Sequence, residues 1–151
     1  MLDAVRGSAA AFRAAIERCD RRALPVGFEC FPRGSCGDTT LLLGAYLTEQ
    51  GLGVFEYVYA QRGRRDADPP TWQSHAWLRQ GPLIVDITAD QFPEVAEPVI
   101  VTSSSSWHET FQQEVRHSAD FRIFDEDTRA SLDAAFRLIT AHCGAEDRAS
   151  L

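Results

Sequence analysis

Residues 34–47 read GSCGDTTLLLGAYL, a polar start followed by a long apolar run. Ser35 belongs to the residue types favoured at helix N-caps, and Asp38 three positions later completes an S-x-x-D capping box. The sequence therefore predicts a helix that begins at Cys36 and runs to about Gln50. The rest of the chain is organised around this helix.

Cys36 is a candidate nucleophile because it falls on the first helical position. Its sulfur would lie beside unpaired backbone N–H groups and the positive end of the helix dipole, which favour thiolate over thiol. Glycines at positions 34 and 37 remove side chains from either side of the sulfur, as close approach by another group requires. The alternative is structural packing, since cysteine is often buried.

Composition narrows the classes of function. The 151 residues are 44% apolar, which predicts one domain spanning residues 1–151 with a real core. A net charge of −7 argues against a nucleic-acid or anionic-membrane surface, so we expect a protein, peptide or small-molecule substrate.

All fifteen basic residues are arginine, which excludes a lysine Schiff base and a lysine-dependent phosphate loop. Neither a signal peptide nor a long apolar span is evident, which predicts a cytoplasmic location.

The four cysteines have no C-x-x-C spacing, so we expect no metal site and no other cofactor. Cys19 and Cys143 lie on the apolar faces of predicted helices, where a place in the core is expected. Cys30 is close enough in sequence to Cys36 for a regulatory disulfide to be conceivable. A free thiol is the expected state in the cytoplasm.

Hydrophobic periodicity indicates four helices and four strands. The predicted helices cover residues 3–21, 36–50, 107–117 and 128–143, and the predicted strands cover residues 54–61, 72–79, 83–88 and 98–102. Asp127 is the predicted cap of the last helix, and Gly144 is its predicted end. This order suggests an α+β domain in which an antiparallel β-sheet packs against helices.

A thiolate nucleophile needs a base, and histidine is the side chain suited to that role at neutral pH. His75 lies in the strand that leads into a tight turn, whereas His108, His117 and His142 fall in predicted helices and are interpreted as surface or packing residues. His75 is therefore the candidate general acid and base.

Asp86 is the candidate partner of His75. If Gln80 and Gly81 form the hairpin loop, Arg79 lies opposite Pro82 and position 75 lies opposite position 86. A carboxylate in an apolar strand calls for such a partner. A loop of odd length or a bulge would instead turn Asp86 to the other face, and a contact that only stabilises the fold is the alternative role for the pair.

These residues resemble a known arrangement. A cysteine that opens a helix, HAWL at residues 75–78 and VDIT at residues 85–88 resemble the Cys-His-Asp triad of transglutaminase-like, papain-like cysteine enzymes. The resemblance covers residues 34–92. It departs at Gly37, where transglutaminase-core proteins commonly have arginine.

The resemblance implies an antiparallel sheet packed on helices, with the nucleophile at the N-terminus of a central helix. It also implies Cys36 as nucleophile, His75 as general acid and base, and Asp86 as the group that orients His75. The implied chemistry is acyl transfer, in which the Cys36 backbone N–H and one further donor meet the oxyanion. Asp90 or Gln91 could line such a site, although a loop-capping role is the one expected for Asp90.

Three functions remain open from the sequence. The first is a thiol hydrolase, either a peptidase or an amidase or deamidase, acting on an amide or thioester of a protein, peptide or small molecule. The second is an acyltransferase or transglutaminase that uses the same triad. The third is a non-catalytic domain that binds a partner through apolar anchors, for which Trp72, Trp77 and Trp107 are the candidates.

Overall fold

The computed structural model describes residues 1–149 and the side chains as far as Cys143. Within this part of the chain there are four α-helices and five β-strands. They are α1 (Leu2–Arg18), α2 (Cys36–Glu49), β1 (Glu56–Arg62), β2 (Gln73–Gln80), β3 (Leu83–Asp86), β4 (Ile100–Thr102), α3 (Ser106–Glu109), β5 (Gln112–Ser118) and α4 (Glu126–Ala149). All neighbouring strands are antiparallel, in the order β4-β3-β2-β1-β5. The protein is therefore an α+β protein with an antiparallel sheet, as predicted.

The helix that begins at Cys36 is the central one, because nine consecutive residues of α2, at positions 39–47, are buried. Ser35 is its N-cap, but the predicted capping box with Asp38 is wrong, since Ser35 makes no side-chain cap hydrogen bond. The buried Ser35 hydroxyl instead donates to the carbonyl of Pro32 at 3.4 Å and lies 3.3 Å from the hydroxyl of Thr39. The side chain ties the helix start to the preceding loop.

The helix predicted over residues 107–117 is also wrong. Only Ser106–Glu109 is helical, and Gln112–Ser118 forms edge strand β5 against β1. The apolar spacing of Trp107, Phe111 and Val115 suggested a helix, but Val115 is 38% exposed and does not continue the buried face. The hydrogen-bonding groups of β1 provide a partner for this segment that a local pattern does not reveal.

The β2–β3 hairpin has a different register from the predicted one. Its loop is Gly81-Pro82, so that Gln80 pairs with Leu83, and Gly81 adopts a φ of +57°. This register is shifted by two residues. Because side chains alternate between the faces of a strand, a shift of two keeps His75 and Asp86 on the same face, as diagonal rather than direct neighbours.

Helices α1 and α4 pack against each other and against α2. The buried side chains of Cys19 and Cys143 confirm their predicted place in the core. Asp125, rather than the predicted Asp127, caps α4 by accepting a hydrogen bond from the Thr128 N–H at 3.0 Å, and the helix continues past Gly144. Among the described residues, no helix combines the length and apolarity needed to cross a membrane.

The sheet contributes to two apolar clusters. The larger lies between the sheet and the helices, and the smaller consists of Val58, Ala60, Trp77, Phe92 and Phe111. Trp77 is 1% exposed, so it is not accessible as an anchor for a partner. The other two candidate anchors also have intramolecular partners: the indole N–H of Trp72 donates to Gln61, and that of Trp107 donates to Glu94.

Gly44 is expected to be essential for the packing of α2. Alanine usually stabilises a helix by about 1 kcal/mol relative to glycine, but a Cβ at Gly44 would overlap the carbonyl oxygen of Ala119. We expect Gly44→Ala to lower the free energy of unfolding by about 1–3 kcal/mol, as overpacking does.

The matched control is Gly7→Ala in α1, where a Cβ would meet no atom within 4 Å. This variant should be more stable by about 0.5–1 kcal/mol. Urea unfolding of both variants measures the difference, and equal stabilities would contradict the packing at Gly44.

Candidate functional site

Asp86 is a buried carboxylate at the end of β3, with 2% of its surface exposed. Its Oδ2 accepts hydrogen bonds from Nε2 of His75 at 2.7 Å and from Nε2 of His108 at 2.8 Å, and its Oδ1 accepts one from the Thr88 N–H at 3.0 Å. Burial would raise the pKa of Asp86, but the charge of His75 and the histidine hydrogen bonds hold that pKa well below its usual range. The carboxylate is therefore ionised at neutral pH.

His75 lies on β2 and is 1% exposed. Burial alone would lower its pKa. The charge and hydrogen bond of Asp86, together with those of Cys36, outweigh burial and raise the pKa of His75 to about 9. The ring is therefore an imidazolium at neutral pH, with its Nε2–H directed to Asp86.

Cys36 is the first residue of α2 and is partly buried. Its backbone N–H precedes the first hydrogen bond of the helix, which runs from Thr39 N to Ser35 O at 2.8 Å. Because Asp86 occupies Nε2 of His75, we infer that Nδ1 is the nitrogen that faces the Cys36 side chain. The structure thus brings His75 and Asp86 into contact, and the effect of Cys36 on the pKa of His75 indicates that the cysteine is a neighbour of that ring.

His108 is a member of this cluster that the sequence reasoning missed. The sequence predicts a surface or packing role, and His108 is indeed buried among aromatic rings, but its contact with Asp86 is not predicted. Its Nδ1 lies 2.6 Å from the Ser105 hydroxyl, and its backbone N–H donates to the same hydroxyl at 3.2 Å. The S-x-x-H spacing indicates a local cap, but nothing in the sequence connects it to Asp86. His117 also packs, with its ring 4.9 Å from that of Tyr57.

Asp90 and Gln91 have different roles in the short turn after β3. The Gln91 amide nitrogen lies 3.1 Å from Nδ1 of His75 and donates to the Thr88 carbonyl at 3.1 Å, so Gln91 belongs to the site. Asp90 instead binds the Arg13 guanidinium with both oxygens, at 2.7 and 2.9 Å, and so ties the turn to α1.

Tyr57 on β1 approaches the site from another side. A Cβ at Gly37 would lie 3.1 Å from its hydroxyl, so glycine there leaves the space that the phenol needs. Burial and the charge of Cys36 raise the pKa of Tyr57 to about 12. The hydroxyl therefore keeps its proton at neutral pH and remains a hydrogen-bond donor.

Aromatic rings enclose the two histidines. The ring of His75 lies 5.2 Å from Phe92 and 5.8 Å from Trp107, and that of His108 lies 4.6 Å from Trp77. The Arg62 guanidinium lies 5.5 and 5.4 Å from the Phe92 and Trp107 ring centroids, respectively. Such an enclosure keeps water away and strengthens the hydrogen bonds to Asp86.

An open cavity of about 460 Å³ adjoins the site. It is lined by Pro32 and Arg33 from the loop before α2 and by Asp90, Gln91 and Pro93 after β3. Gln91 is the lining residue that also contacts His75, at 3.1 Å. The exposed Arg33 places a positive charge at its rim.

Within the described part of the chain, no group of three or more histidine, cysteine or acidic side chains is arranged to hold a metal ion. No protein-family model, no curated protein and no solved structure matches this chain. The residues of the site are therefore the basis for inferring its chemistry.

The raised pKa of His75 predicts a pH-dependent stability. The folded state binds this proton more tightly than the unfolded state, whose pKa is near 6.5. The contribution of the His75 proton is fully present below pH 6.5 and is lost as the pH rises through about 9. Both proteins in this test carry Cys36→Ala, because a thiol that ionises on folding would give the opposite pH dependence. In that background we expect the free energy of unfolding to fall across this interval, as measured by urea unfolding at several pH values.

The control is His75→Gln, whose amide can still donate to Asp86 but does not titrate. This variant should lack most of the decrease between pH 6.5 and 9. An equal decrease in both proteins would mean that another group causes it.

Proposed function

We propose that this protein is a cysteine-dependent acyl-transfer enzyme, specifically a thiol hydrolase that cleaves an amide or thioester. Cys36 is the nucleophile, His75 the general acid and base, and Asp86 the residue that orients His75. The observation that carries this proposal is the His75 ring, which bonds to Asp86 at 2.7 Å through Nε2 and whose pKa is raised in part by the neighbouring Cys36 side chain.

Acylation begins from the thiolate of Cys36 and the imidazolium of His75. The sulfur adds to the substrate carbonyl carbon, and the oxyanion is met by the backbone N–H of Cys36 at the start of α2. When the carbonyl re-forms, the bond to the leaving amine or thiol breaks. His75 supplies the proton from Nδ1 to that leaving group, which produces a thioester on Cys36 and a neutral ring.

Hydrolysis then restores the enzyme. Neutral His75 removes a proton from water, the oxygen adds to the thioester carbon, and the bond to the Cys36 sulfur breaks to release a carboxylic acid. The thiolate and imidazolium are formed again. An amine in place of water would give transfer, as in the acyltransferase or transglutaminase alternative.

The order and placement of the three residues support a relationship to the transglutaminase-like and papain-like cysteine enzymes. The cysteine begins a buried helix, and the histidine and aspartate lie on the adjacent strands β2 and β3 of an antiparallel sheet. The departure at Gly37 has a local reason, since a larger side chain would displace the Tyr57 hydroxyl. The adjoining open cavity suits a small acyl group or an extended peptide.

The thiol reactivity of Cys36 tests this function, and Cys30 is a control within the same chain. Cys30 is exposed and Cys36 is only partly buried, so accessibility alone predicts faster alkylation of Cys30. We expect iodoacetamide at pH 7 to alkylate Cys36 faster, because the imidazolium stabilises its thiolate. In His75→Ala, Cys36 should react no faster than Cys30. Peptide mass spectrometry measures both rates.

The same preparations should hydrolyse p-nitrophenyl acetate, with no turnover by Cys36→Ser. Asp86→Asn should lower kcat by about 10²- to 10⁴-fold, because an amide cannot accept all three hydrogen bonds and orient His75. If Cys36 reacts no faster than Cys30 in the wild type, and His75→Ala changes neither rate, the non-catalytic interpretation is favoured.

We propose Gln91 as the second donor to the oxyanion. Its amide can donate to Nδ1 of His75 only while that nitrogen carries no proton. Once His75 is protonated and pairs with the Cys36 thiolate, this N–H is released, while the contact with the Thr88 carbonyl at 3.1 Å holds the amide in place. Gln91 also lines the adjoining cavity, which supports a role for it in contact with the substrate.

Gln91→Ala should lower kcat for p-nitrophenyl acetate by about 10²- to 10³-fold, the usual effect of losing one oxyanion donor. Alkylation of Cys36 by iodoacetamide should be retained, because that reaction forms no oxyanion. Tyr57→Phe is the comparison and should hydrolyse the ester nearly as well as the wild type. The reverse pattern would assign the donor to Tyr57.

A further inference from the structure

We propose that His108 is a positioning residue of the site, held by Ser105 in the tautomer that donates to Asp86. The inference rests on the proposed function of Cys36, His75 and Asp86. It adds Ser105 and His108 to the site through a continuous hydrogen-bonded series from Ser105 through His108 and Asp86 to His75. Two histidines thus share one carboxylate oxygen, and only His75 faces the thiol.

The Ser105 hydroxyl accounts for the tautomer of His108. Its oxygen accepts the His108 backbone N–H at 3.2 Å, and its proton is free to donate to Nδ1 at 2.6 Å. With Nδ1 acting as an acceptor, the neutral ring carries its proton on Nε2. That N–H donates to Oδ2 of Asp86 at 2.8 Å. Both ring nitrogens of His108 thereby have a hydrogen-bond partner.

The effect of His108 on catalysis comes from the orientation of the carboxylate. Oδ2 accepts from His108 and His75, while Oδ1 accepts from the Thr88 N–H. Three donors from separate segments fix both the position and the plane of the carboxyl group. Without His108, Oδ2 keeps one donor and the group can rotate. The His75 ring would then be less well aligned with Cys36, and small misplacements of reacting groups are costly.

The fold holds His108 from several sides. Its ring contacts those of Trp77 and Trp107 at 4.6 and 4.8 Å, and its backbone carbonyl accepts from the Gln113 amide at 3.0 Å. The ionisable groups that face it are Asp86 and, across that carboxylate, His75. Helix α3 has only four residues, and its cap, Ser105, is also the group that orients the ring.

The test compares His108→Leu, which removes the donor, with His108→Gln, whose amide nitrogen can replace Nε2. We expect His108→Leu to lower kcat for p-nitrophenyl acetate by about 10- to 100-fold with little change in KM. In His108→Leu, the pH dependence of Cys36 alkylation should also differ from that of the wild type. His108→Gln should recover most of the activity and the wild-type profile, because it restores the hydrogen bond to Asp86.

Proton NMR gives a measurement that does not depend on activity. The wild type should show two imidazole N–H signals downfield of the amide region, one from each histidine bonded to Asp86. His108→Gln should remove one of them and keep the other. Ser105→Ala should shift or broaden the His108 signal, whereas Ser105→Thr, which keeps the hydroxyl, should leave it in place.

The outcomes separate this inference from the proposed function. If Cys36 is reactive and depends on His75 and Asp86, but both His108 variants match the wild type in kcat and pH profile, the positioning role is wrong. A single downfield signal that survives in His108→Gln and disappears in His75→Ala would also overturn it. If Cys36 is unreactive in the wild type, the proposed function fails, and the NMR signals still decide whether His108 donates to Asp86. Should His108→Leu fail to fold, the glutamine and Ser105 variants carry the test.

Discussion

The buried carboxylate of Asp86 is the constraint on which the rest of the site depends. An isolated charge in such a place would be expensive, so the fold must supply donors for it. They come from β2, from the backbone just after β3 and from α3. Segments that are distant in the chain are thereby brought to one point. The same hydrogen bonds that make the burial of Asp86 possible also orient His75 toward the helix start at Cys36.

The aromatic cluster makes these polar contacts effective. Excluding water from around a carboxylate and two imidazoles strengthens each hydrogen bond but makes any missing partner more costly. The smaller apolar cluster of the sheet is therefore more than a second core, because Trp77, Phe92 and Phe111 pack directly around His75. Two neighbouring residues of the turn after β3 have separate roles. Asp90 binds Arg13 of α1 and so holds the turn in place. Gln91 contacts His75 and also lines the open cavity.

Local sequence patterns correctly predicted the features that depend on a single helix. The cap and apolar run after Ser35 located α2, and the apolar faces of α1 and α4 placed Cys19 and Cys143 in the core. The hairpin register was two residues off, yet the contact between His75 and Asp86 is present because an even shift preserves the face. The helix predicted after Trp107 is absent, since pairing with β1 outweighs a short helical pattern.

The sequence by itself determined the α+β class, because that class follows from the order of the helical and strand patterns along the chain. It also determined the position of Cys36 at a helix start and the candidates His75 and Asp86, because these follow from spacing within one helix or one hairpin. Only the tertiary structure decided that His108 and Tyr57 surround them, and that Gln91 rather than Asp90 contacts His75. These residues come from a short helix, a turn and another strand, and no local period relates their positions to Asp86 or Cys36. Their proximity arises from chain packing, which brings distant segments together to satisfy a buried charge.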